Sequence, residues 1–451
     1  MTSASELLAL RSELTGSLVL PDDADYEAAR TPWNLSVDQR PAAIAEPADV
    51  ADLQAILRTA AATGLGVTVQ PNGHGANGDL SGVVLVRPTR FDSLAVDTQA
   101  RVLRAGAGVN WGRALEQLDG TGLVALAGSN PEVNVVALAI AGGHSMFSRR
   151  YGITARSIIS VELVDAAGAV HRVTDADDAE LIWALRGGGG LFGIVTEIEL
   201  ALYPGDEIFG GGLTFPAESA EAVITAALEL ARDEPEVGID FGMMRFPDAP
   251  QLPPHLRGRT VATVSLVHLG DEATGRAFAD RITSVAEPIA DTLTSFTIGE
   301  LAAVAAEPTD PMPSAEFGAA LAGFTAPFAR EFVEAFLRGA DRGLMRCGIR
   351  ILGGAIADGL GADRAAVGAL QADGLMSSGV LLFDPTIDVD AAFEPLRELV
   401  TKHPGGKPMP TFLSSGATLA DAYDRDVLDR LAAVKQRVDP GGVIRSNRPL
   451  G

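Results

Sequence analysis

A glycine-rich loop lies between two strand-like runs, and this placement constrains the fold more than any other feature of the sequence. The loop Gly73–Gly78 matches the G-x-G-x-x-G pattern of dinucleotide-binding turns. In such turns a helix follows directly, so that its N-terminus faces a pyrophosphate. Here Val67–Val69 precedes the loop and Val83–Val86 follows it, and both have the composition of strands. The order of elements therefore argues against a Rossmann-type NAD domain.

The same loop carries a histidine, His74, near its centre. Glycines let a backbone approach a phosphate closely and offer their N–H groups to it. Because phosphate binding needs no histidine, His74 is either a structural, hydrogen-bonded residue or a nucleophile beside a cofactor. The residues alone favour the structural interpretation and leave the nucleophile as the alternative.

A second segment, Gly128–Gly152, is rich in small residues. Small side chains leave room for a flat or extended molecule against the backbone, although a tightly packed buried turn has the same composition. His144 follows Gly142-Gly143 in this segment, and we interpret it as a structural residue or as a neighbour of the bound molecule.

Composition and charge exclude several classes of function. The net charge of −24, from 35 basic and 59 acidic residues, disfavours nucleic acid and anionic lipid as partners. Cys347 is the only cysteine, which excludes an intramolecular disulfide and a cysteine-based zinc or iron–sulfur site. His171, His255, His268 and His403 have no ligand spacing, so no metal site is predicted. With no secretory leader or apolar span recognisable, a soluble cytoplasmic protein is expected.

The alternation of strand-like and helical patterns predicts an α+β protein of about two or three domains. Residues 1–204 are predicted to form the first domain, with a core of about 36–204. Composition shifts after Pro204, and residues 205–404 are predicted as a second domain in which strands alternate with Ala-rich helices. Residues 405–451 contain an amphipathic helix and form a C-terminal segment that is predicted to return to the first domain.

Further motifs occur in a fixed order along the chain. They are Trp33-Asn34 with Arg40-Pro41, Asn72-Gly73-His74, the Gly128–Gly152 segment, Trp183–Gly189 with Phe192–Thr196, and Val434-Lys435, Asp439-Pro440 and Ile444–Asn447 in the tail. With these motifs the chain resembles, over nearly its whole length, the berberine-bridge-enzyme-like group of the vanillyl-alcohol-oxidase and p-cresol-methylhydroxylase (PCMH) flavoproteins. Bacterial hydroxynicotine oxidase is a similar relative of comparable size.

This resemblance implies a PCMH-type FAD-binding domain of two α+β subdomains, and a substrate domain whose antiparallel sheet is covered by helices. It also implies FAD as the cofactor, bound by both glycine-rich segments, one later strand and the tail. The cofactor-binding residues it implies are His74, Gln70, Pro71, Asn72, Gly73, Gly75, Gly128, Ser129, Val133, Asn134, Ala137, Gly142, Gly143, Tyr151, Gly152, Val195 and Asn447.

The resemblance places His74 where relatives bond a histidine covalently to the methyl carbon on the benzenoid ring of the flavin. In that reaction a neutral imidazole attacks an electrophilic form of the flavin. The link raises the flavin potential and prevents loss of the cofactor.

Some positions depart from the family pattern. Asn130 stands where many relatives have a cysteine, which excludes a second covalent link. Gln70 replaces a common arginine, Asn72 replaces a glycine, and Asn134 and Ala137 also stand where glycines are usual. Pyrophosphate binding is therefore expected to depend more on backbone N–H groups.

The expected chemistry is hydride abstraction from a carbon that points at flavin N5, with loss of a proton to a base. In the matching strand of the second domain, Arg346–Gly354, alternation puts Gly348, Arg350 and Leu352 on one face, which offers no carboxylate. Arg350 is predicted to orient an anionic substrate or to stabilise reduced flavin, although an outward salt bridge is an equal alternative. Tyr423 is the candidate for a site hydroxyl.

The resulting expectation is an FAD-linked oxidase or dehydrogenase of a small organic alcohol, amine or natural-product intermediate, with oxygen or another acceptor taking the electrons. The departures leave an alternative, which is a flavin-containing cyclase or scaffold of secondary metabolism with no net redox turnover. An NAD-binding protein without flavin is the third interpretation.

Overall fold

The first sheet contains the strands on both sides of the glycine-rich loop. The structure is a computed structural model that describes residues 2–250, 252–254 and 256–451, so His255 lies outside the described residues. The sheet consists of β1 (Ser17–Val19), β2 (Ala43–Glu46), β3 (Gly66–Val69) and β4 (Val83–Val86), in the order β1-β2-β4-β3. Its β2–β4 and β3–β4 pairs are parallel and its β1–β2 pair is antiparallel. The accompanying helices are α1 (Thr2–Glu13), α2 (Tyr26–Arg30) and α3 (Val50–Thr63).

Helix α3 shows how local sequence signals set the two ends of a helix. The side chain of Asp49 accepts a hydrogen bond from the backbone N–H of Asp52 and caps the first turn. Gly64 ends the helix with φ of 74°, in the left-handed region, and its N–H donates to the carbonyl of Ala60. The apolar face of the helix is buried against the sheet. The buried apolar residues of the helix are Leu53, Ala55, Ile56, Leu57 and Ala60.

A second, antiparallel sheet completes the N-terminal half of the chain. Its strands are β5 (Leu94–Asp97), β6 (Val102–Gly106), β8 (Ile158–Val164), β9 (Val170–Val173) and β10 (Ile194–Ala201), in the order β5-β6-β10-β8-β9. A short pair joins β7 (Leu123–Val124) to β11 (Tyr203–Pro204). The helices of this part are α4 (Trp111–Leu118), α5 (Val135–Ile140), α6 (Ser148–Tyr151) and α7 (Ala179–Leu185).

The remaining strands form one eight-stranded sheet in which all the described pairs are antiparallel. They are β12 (Ile208–Pro216), β13 (Gly238–Arg245), β14 (Thr260–Leu269), β15 (Ala290–Asp291), β16 (Thr294–Phe296), β17 (Ser314–Leu321), β18 (Arg346–Ile351) and β19 (Gly374–Leu381). Its helices are α8 (Ala220–Asp233), α9 (Glu272–Thr283), α10 (Leu301–Ala305), α11 (Ala326–Ala340), α12 (Ala355–Asp358) and α13 (Val389–Lys402). The predicted antiparallel sheet covered by helices is therefore confirmed.

Strand β18 alternates between the two faces of this sheet, as predicted. Cys347 and Ile349 are buried in the core that also contains Phe332 of α11, on the helix-covered face. Arg350 points to the opposite face. Leu352, just beyond the strand, packs in the core of the N-terminal half. The open face of the sheet is thus turned toward the first part of the chain, where the glycine-rich segments lie.

The C-terminal segment crosses back to the first sheet. Helix α14 (Arg425–Val438) is followed by an extended stretch that forms a parallel bridge between Ile444 and Val67 of β3. The N–H of Val67 donates to the carbonyl of Val443 at 2.8 Å, and the N–H of Arg445 donates to the carbonyl of Val67 at 2.7 Å. This contact carries the tail to the end of β3, where the glycine-rich loop begins. None of the described helices has both the length and the apolar composition that a bilayer span needs.

A buried ion pair holds the turn after α14. Lys435 Nζ lies 2.5 Å from Asp439 Oδ2, and the Asp439 side chain is 0% exposed. The Asp439 carboxylate also accepts the N–H groups of Val443 at 3.0 Å and Ile444 at 2.8 Å. One carboxylate thus neutralises a half-buried ammonium group and orders the start of the tail.

We expect Asp439→Ala to lower the free energy of unfolding by about 3 kcal/mol, because it leaves Lys435 without its counter-charge and leaves two amides unpaired. The matched control is Asp429→Ala, which breaks an exposed pair with Arg425 of the same i,i+4 spacing on the same helix. That change should cost less than about 0.5 kcal/mol. Urea titration of both variants measures the difference, and equal losses would contradict the account.

Candidate functional site

The loop after β3 is held by the buried guanidinium of Arg87, which no sequence motif marks. Its Nη1 donates to the carbonyl of Gln70 at 2.7 Å and lies 3.4 Å from that of Pro71. Its Nη2 donates to the carbonyls of Ala29 at 3.1 Å and Thr31 at 3.3 Å. Burial lowers the pKa of Arg87 to about 10, so the group stays charged at neutral pH. A charged residue directly after an apolar strand is the one signal that could have identified it.

The side chains of Gln70 and Asn72 are engaged within the protein. Gln70 is buried, and its Nε2 donates to Gln39 Oε1 at 3.0 Å. Asn72 Nδ2 lies 3.5 Å from Asn110 Oδ1, and the Asn72 carbonyl accepts the N–H of Trp33 at 2.9 Å. The amide that replaces the family's arginine therefore supports the loop and contributes no positive charge to it.

The backbone N–H groups of the loop are the donors that remain available. Among the described residues, the amides of Asn72, Gly73, His74 and Gly75 donate no hydrogen bond to the protein. Gly73 has φ of 85°, and a Cβ at this position would lie 2.6 Å from Pro32 Cβ, so glycine is required here. Successive unpaired amides in a tight turn form a concave site for an anion. The loop therefore fits a pyrophosphate.

His74 presents a neutral imidazole with an unpaired nitrogen. Its ring stacks on Trp33 with a centroid separation of 4.5 Å and an interplanar angle of 16°. Its Nε2 is buried and has no hydrogen-bond partner among the described residues. Burial lowers the pKa of His74 to about 4, although the charge of Glu307 opposes that shift. A buried nitrogen without a partner is costly unless a ligand engages it. This geometry favours the nucleophile over the structural histidine, and it fits the flavin.

The tail reaches the same loop through Asn447. Its Nδ2 donates to the carbonyl of Gly75 at 2.6 Å, and its own carbonyl accepts Nδ2 of Asn77 at 3.0 Å. Asn77 Oδ1 accepts the N–H of Gly416 at 2.9 Å. The structure thus brings the predicted residue Asn447 beside the His74 loop.

In the second segment, the departures from glycine have a structural explanation. Asn134 is the N-cap of α5, where its Oδ1 accepts the N–H of Ala137 at 3.0 Å. Its Nδ2 donates to the carbonyls of Ala107 at 2.8 Å and Val109 at 3.0 Å. The Asn134 side chain is therefore occupied, whereas Ala137 is exposed and Val133 is partly buried.

The other predicted cofactor residues lie in and around the same core. Gly143 has φ of 72°, and a Cβ there would lie 2.5 Å from Thr154 Oγ1. Tyr151 stacks on Tyr203, and its hydroxyl donates to the carbonyl of Pro204 at 2.8 Å. Val195 is buried on β10. The remaining glycines are Gly128, where an added Cβ would meet Leu138, and Gly142 and Gly152, which both have positive φ.

Residues 306–313, between α10 and β17, form a strap that contacts the second glycine-rich segment and Trp33, whose ring stacks on His74. Trp33 Nε1 donates to the carbonyl of Thr309 at 3.0 Å, next to the His74 ring. Asn130 Nδ2 donates to the carbonyl of Pro308 at 3.0 Å, and Ser129 Oγ donates to Glu307 Oε1 at 2.6 Å. The strap therefore links the open face of the large sheet to the cofactor segments, which no motif predicted.

A charged cluster occupies that open face. Asp240 of β13 pairs in register with Arg350 of β18, and Arg350 Nη1 donates to Asp240 Oδ2 at 2.8 Å. Arg350 Nη2 lies 3.4 Å from Glu307 Oε1. The prediction that this face offers no carboxylate is wrong, because Asp240 comes from the neighbouring strand and Glu307 from the strap. We call these three residues the Asp240–Arg350–Glu307 cluster.

The environment of Asp240 suits a proton acceptor. Burial raises the pKa of Asp240 above its ordinary value, while the charge of Arg350 opposes the rise. Its Oδ2 accepts from Arg350, and its Oδ1 accepts no hydrogen bond from the described residues. Asp240 also borders a cavity of about 10 Å³, room for about one water molecule, which His144 and Arg149 line as well.

Two predicted residues lie in settings that limit their roles. Tyr423 is buried and its hydroxyl donates to the carbonyl of Gly187 at 2.8 Å, while burial raises the pKa of the phenol. That hydroxyl is therefore poorly suited to accept a proton. Burial, with the charges of Arg350 and Arg149 adding to it, lowers the pKa of His144 to about 3 and keeps its ring neutral.

Comparison with known proteins agrees with this geometry. Residues 41–174 match the FAD binding domain family, and this stretch contains the His74 loop and the second segment. The chain is 30% identical over 288 residues to (R)-6-hydroxynicotine oxidase of Paenarthrobacter nicotinovorans, covering 62% of this chain. The matched region spans 62% of the length of that relative.

Solved structures share the fold of the chain. BBE-like 1 of Physcomitrella patens superposes with a TM-score of 0.82 over 99% of both chains at 18% identity. Glucooligosaccharide oxidase of Acremonium strictum superposes with a TM-score of 0.80 over 97% of both chains at 18% identity. That oxidase is described as carrying a 6-S-cysteinyl, 8α-N1-histidyl FAD. The expected FAD-binding fold is thus confirmed.

We expect the pKa of the His74 imidazole in the flavin-free protein to lie near 4, whereas in the unfolded chain the pKa lies near its ordinary value of 6.5. Because the unfolded state takes up this proton first, the contribution of His74 to stability falls as the pH drops from 6.5 toward 4. An NMR pH titration of the ring resonance, assigned with His74→Ala, measures the midpoint. A folded-state midpoint at or above 6.5 would refute the buried, neutral ring.

Proposed function

We propose that this chain is an FAD-linked oxidoreductase, similar to berberine-bridge-enzyme-like proteins and hydroxynicotine oxidase, that oxidises a small organic alcohol, amine or natural-product intermediate. When bound, FAD supplies the acceptor for a hydride from the substrate carbon. Oxygen or another acceptor then takes the electrons. The observation that carries this proposal is the loop in which unpaired amides adjoin the buried, unpaired nitrogen of His74.

His74 is proposed as the covalent attachment point. The lowered pKa keeps its imidazole neutral, and Trp33 holds the ring by stacking. The amides of residues 72–75 would hold the pyrophosphate, a role that the missing arginine at Gln70 makes more important. Asn130, with its side chain committed to the strap, leaves a single link.

Asp240 is proposed as the base that takes the proton from the substrate's O–H or N–H group. A useful base has a pKa near the operating pH, and burial shifts Asp240 in that direction. Arg350 orients the carboxylate through Oδ2 and leaves Oδ1 free. The alternative of a non-redox cyclase or scaffold rests partly on the absence of a carboxylate from the open face. The Asp240 carboxylate removes that reason.

Acid precipitation tests the attachment. The wild-type pellet should remain yellow, and His74→Ala should release most of its flavin into the supernatant. The control is His171→Ala. The exposed ring of His171 lies on β9 and pairs at 2.7 Å with Asp165, which lies in the turn before that strand. It should behave as wild type. Free FAD in the wild-type supernatant would reject the covalent link while leaving flavin binding intact.

Flavin reduction tests the base. With any alcohol or amine that reduces the wild-type flavin anaerobically, we expect Asp240→Asn to slow reduction by about 10² to 10⁴. The wild-type rate should rise with pH as Asp240 loses its proton, and the variant should show no such rise. The matched control is Asp341→Asn. This change breaks an exposed ion pair, 3.0 Å long, between Asp341 and Arg245, which lies on the same strand as Asp240.

That control should leave the rate within about twofold of wild type, since exposed ion pairs contribute little. An unchanged pH profile in Asp240→Asn would assign the base elsewhere. A flavin that light reduces but no substrate reduces would favour the scaffold.

A further inference from the structure

The charges around Arg350 do not leave it free for an anion. Its guanidinium contacts two carboxylates, Asp240 at 2.8 Å and Glu307 at 3.4 Å. With both carboxylates ionised, the cluster carries a formal charge of −1. The expectation that Arg350 orients an anionic substrate therefore loses its basis, because an anion entering here meets an already neutralised cation and a surplus of negative charge.

Glu307 is the member of the cluster that a ligand can reach. Its side chain is 36% exposed, compared with 12% for Asp240 and 28% for Arg350. Oε1 of Glu307 accepts hydrogen bonds from Ser129 Oγ and Arg350 Nη2. Oε2 of Glu307 accepts no hydrogen bond within the described ranges. One carboxylate oxygen is thus fixed and the other is available.

The position of Glu307 places that oxygen beside the cofactor segments. Ser129 belongs to the second glycine-rich segment, and the charge of Glu307 also reaches His74, whose pKa it raises against the effect of burial. The strap on which Glu307 lies is held by Asn130 and Trp33, which donate to the carbonyls of the next two residues. A carboxylate held there adds its charge to the space that a substrate must enter.

We propose that Glu307 is a specificity-determining residue that makes the site select organic cations, such as protonated amines, over neutral and anionic molecules of the same shape. This inference rests on the proposed function and narrows its substrate class. A protonated amine would donate to the free Oε2 of Glu307, and its positive charge would offset the negative charge of the cluster. An alcohol lacks the charge, and a carboxylate is repelled.

The test compares the binding of three probes of similar size to the flavin-loaded protein. Benzylamine is a cation, benzyl alcohol is neutral and benzoate is an anion, and the change in flavin absorbance gives each Kd. We expect wild type to bind benzylamine about tenfold more tightly than benzyl alcohol, and benzoate most weakly. Added salt should reduce the preference, because the carboxylate is partly exposed.

Variants assign the preference to one residue. Glu307→Gln should bring benzylamine and benzyl alcohol within about threefold of each other, and Glu307→Lys should make benzoate the tightest probe. The matched control is Glu316→Gln, which breaks the similar Glu316–Arg346 pair at 3.1 Å on the same sheet, with side chains 43% and 36% exposed. That variant should keep the wild-type order.

The inference is overturned if Glu307→Gln keeps the wild-type ratio, if Glu316→Gln abolishes it equally, or if wild type prefers benzoate. A flavin-loaded wild type that binds none of the probes below about 10 mM overturns it as well. Failure of the proposed function is recognised by a different result: the purified protein then holds no flavin, or its flavin accepts no electrons from any substrate.

Discussion

One buried guanidinium determines the shape of the loop on which the rest of the site depends. Arg87 binds backbone carbonyls from Gln70, Ala29 and Thr31, and so fixes the start of the loop against the end of α2. With those carbonyls satisfied, the amides that follow are left without partners in the described structure and form a site for an anion. A carbonyl deprived of its donor in this environment would cost about 1–3 kcal/mol, so the loop has little freedom to rearrange.

Two opposite electrostatic settings lie side by side in this site. At His74, burial keeps a base neutral and leaves its nitrogen unpaired. At the Asp240–Arg350–Glu307 cluster, two carboxylates share one guanidinium as their counter-ion. The first setting suits attachment of a cofactor, and the second suits proton removal and selection of a substrate by charge. The strap joins them, since it contacts Trp33 next to His74 and carries Glu307.

Much of the fold and of the first loop was predictable because its signals are local. The cap at Asp49 and the stop at Gly64 lie within the helix they bound, and Gly73–Gly78 follows its strand directly. His74 could be identified from its neighbours and from the family resemblance. Strand alternation correctly placed Arg350 on the open face.

The partners of Arg350 could not be predicted, because they depend on contacts between distant parts of the chain. Asp240 is 110 positions away and becomes a neighbour only through the register of β13 with β18. Glu307 is 43 positions away, in a loop with no regular pattern. In the sequence Asn134 is only a departure from a usual glycine, whereas its side chain supplies a helix cap, a role that becomes clear only with the helix boundary. Residue type alone makes Tyr423 a candidate for the site hydroxyl, because its burial against Gly187 is not visible in the sequence.

The visible absorption spectrum of the purified, undenatured protein tests the central claim most directly, because every proposed role assumes a flavin nucleotide against the His74 loop. We predict flavin bands in the protein as isolated, or their appearance with about one FAD per chain after incubation and gel filtration. A colourless protein that retains no FAD after that treatment would contradict the account.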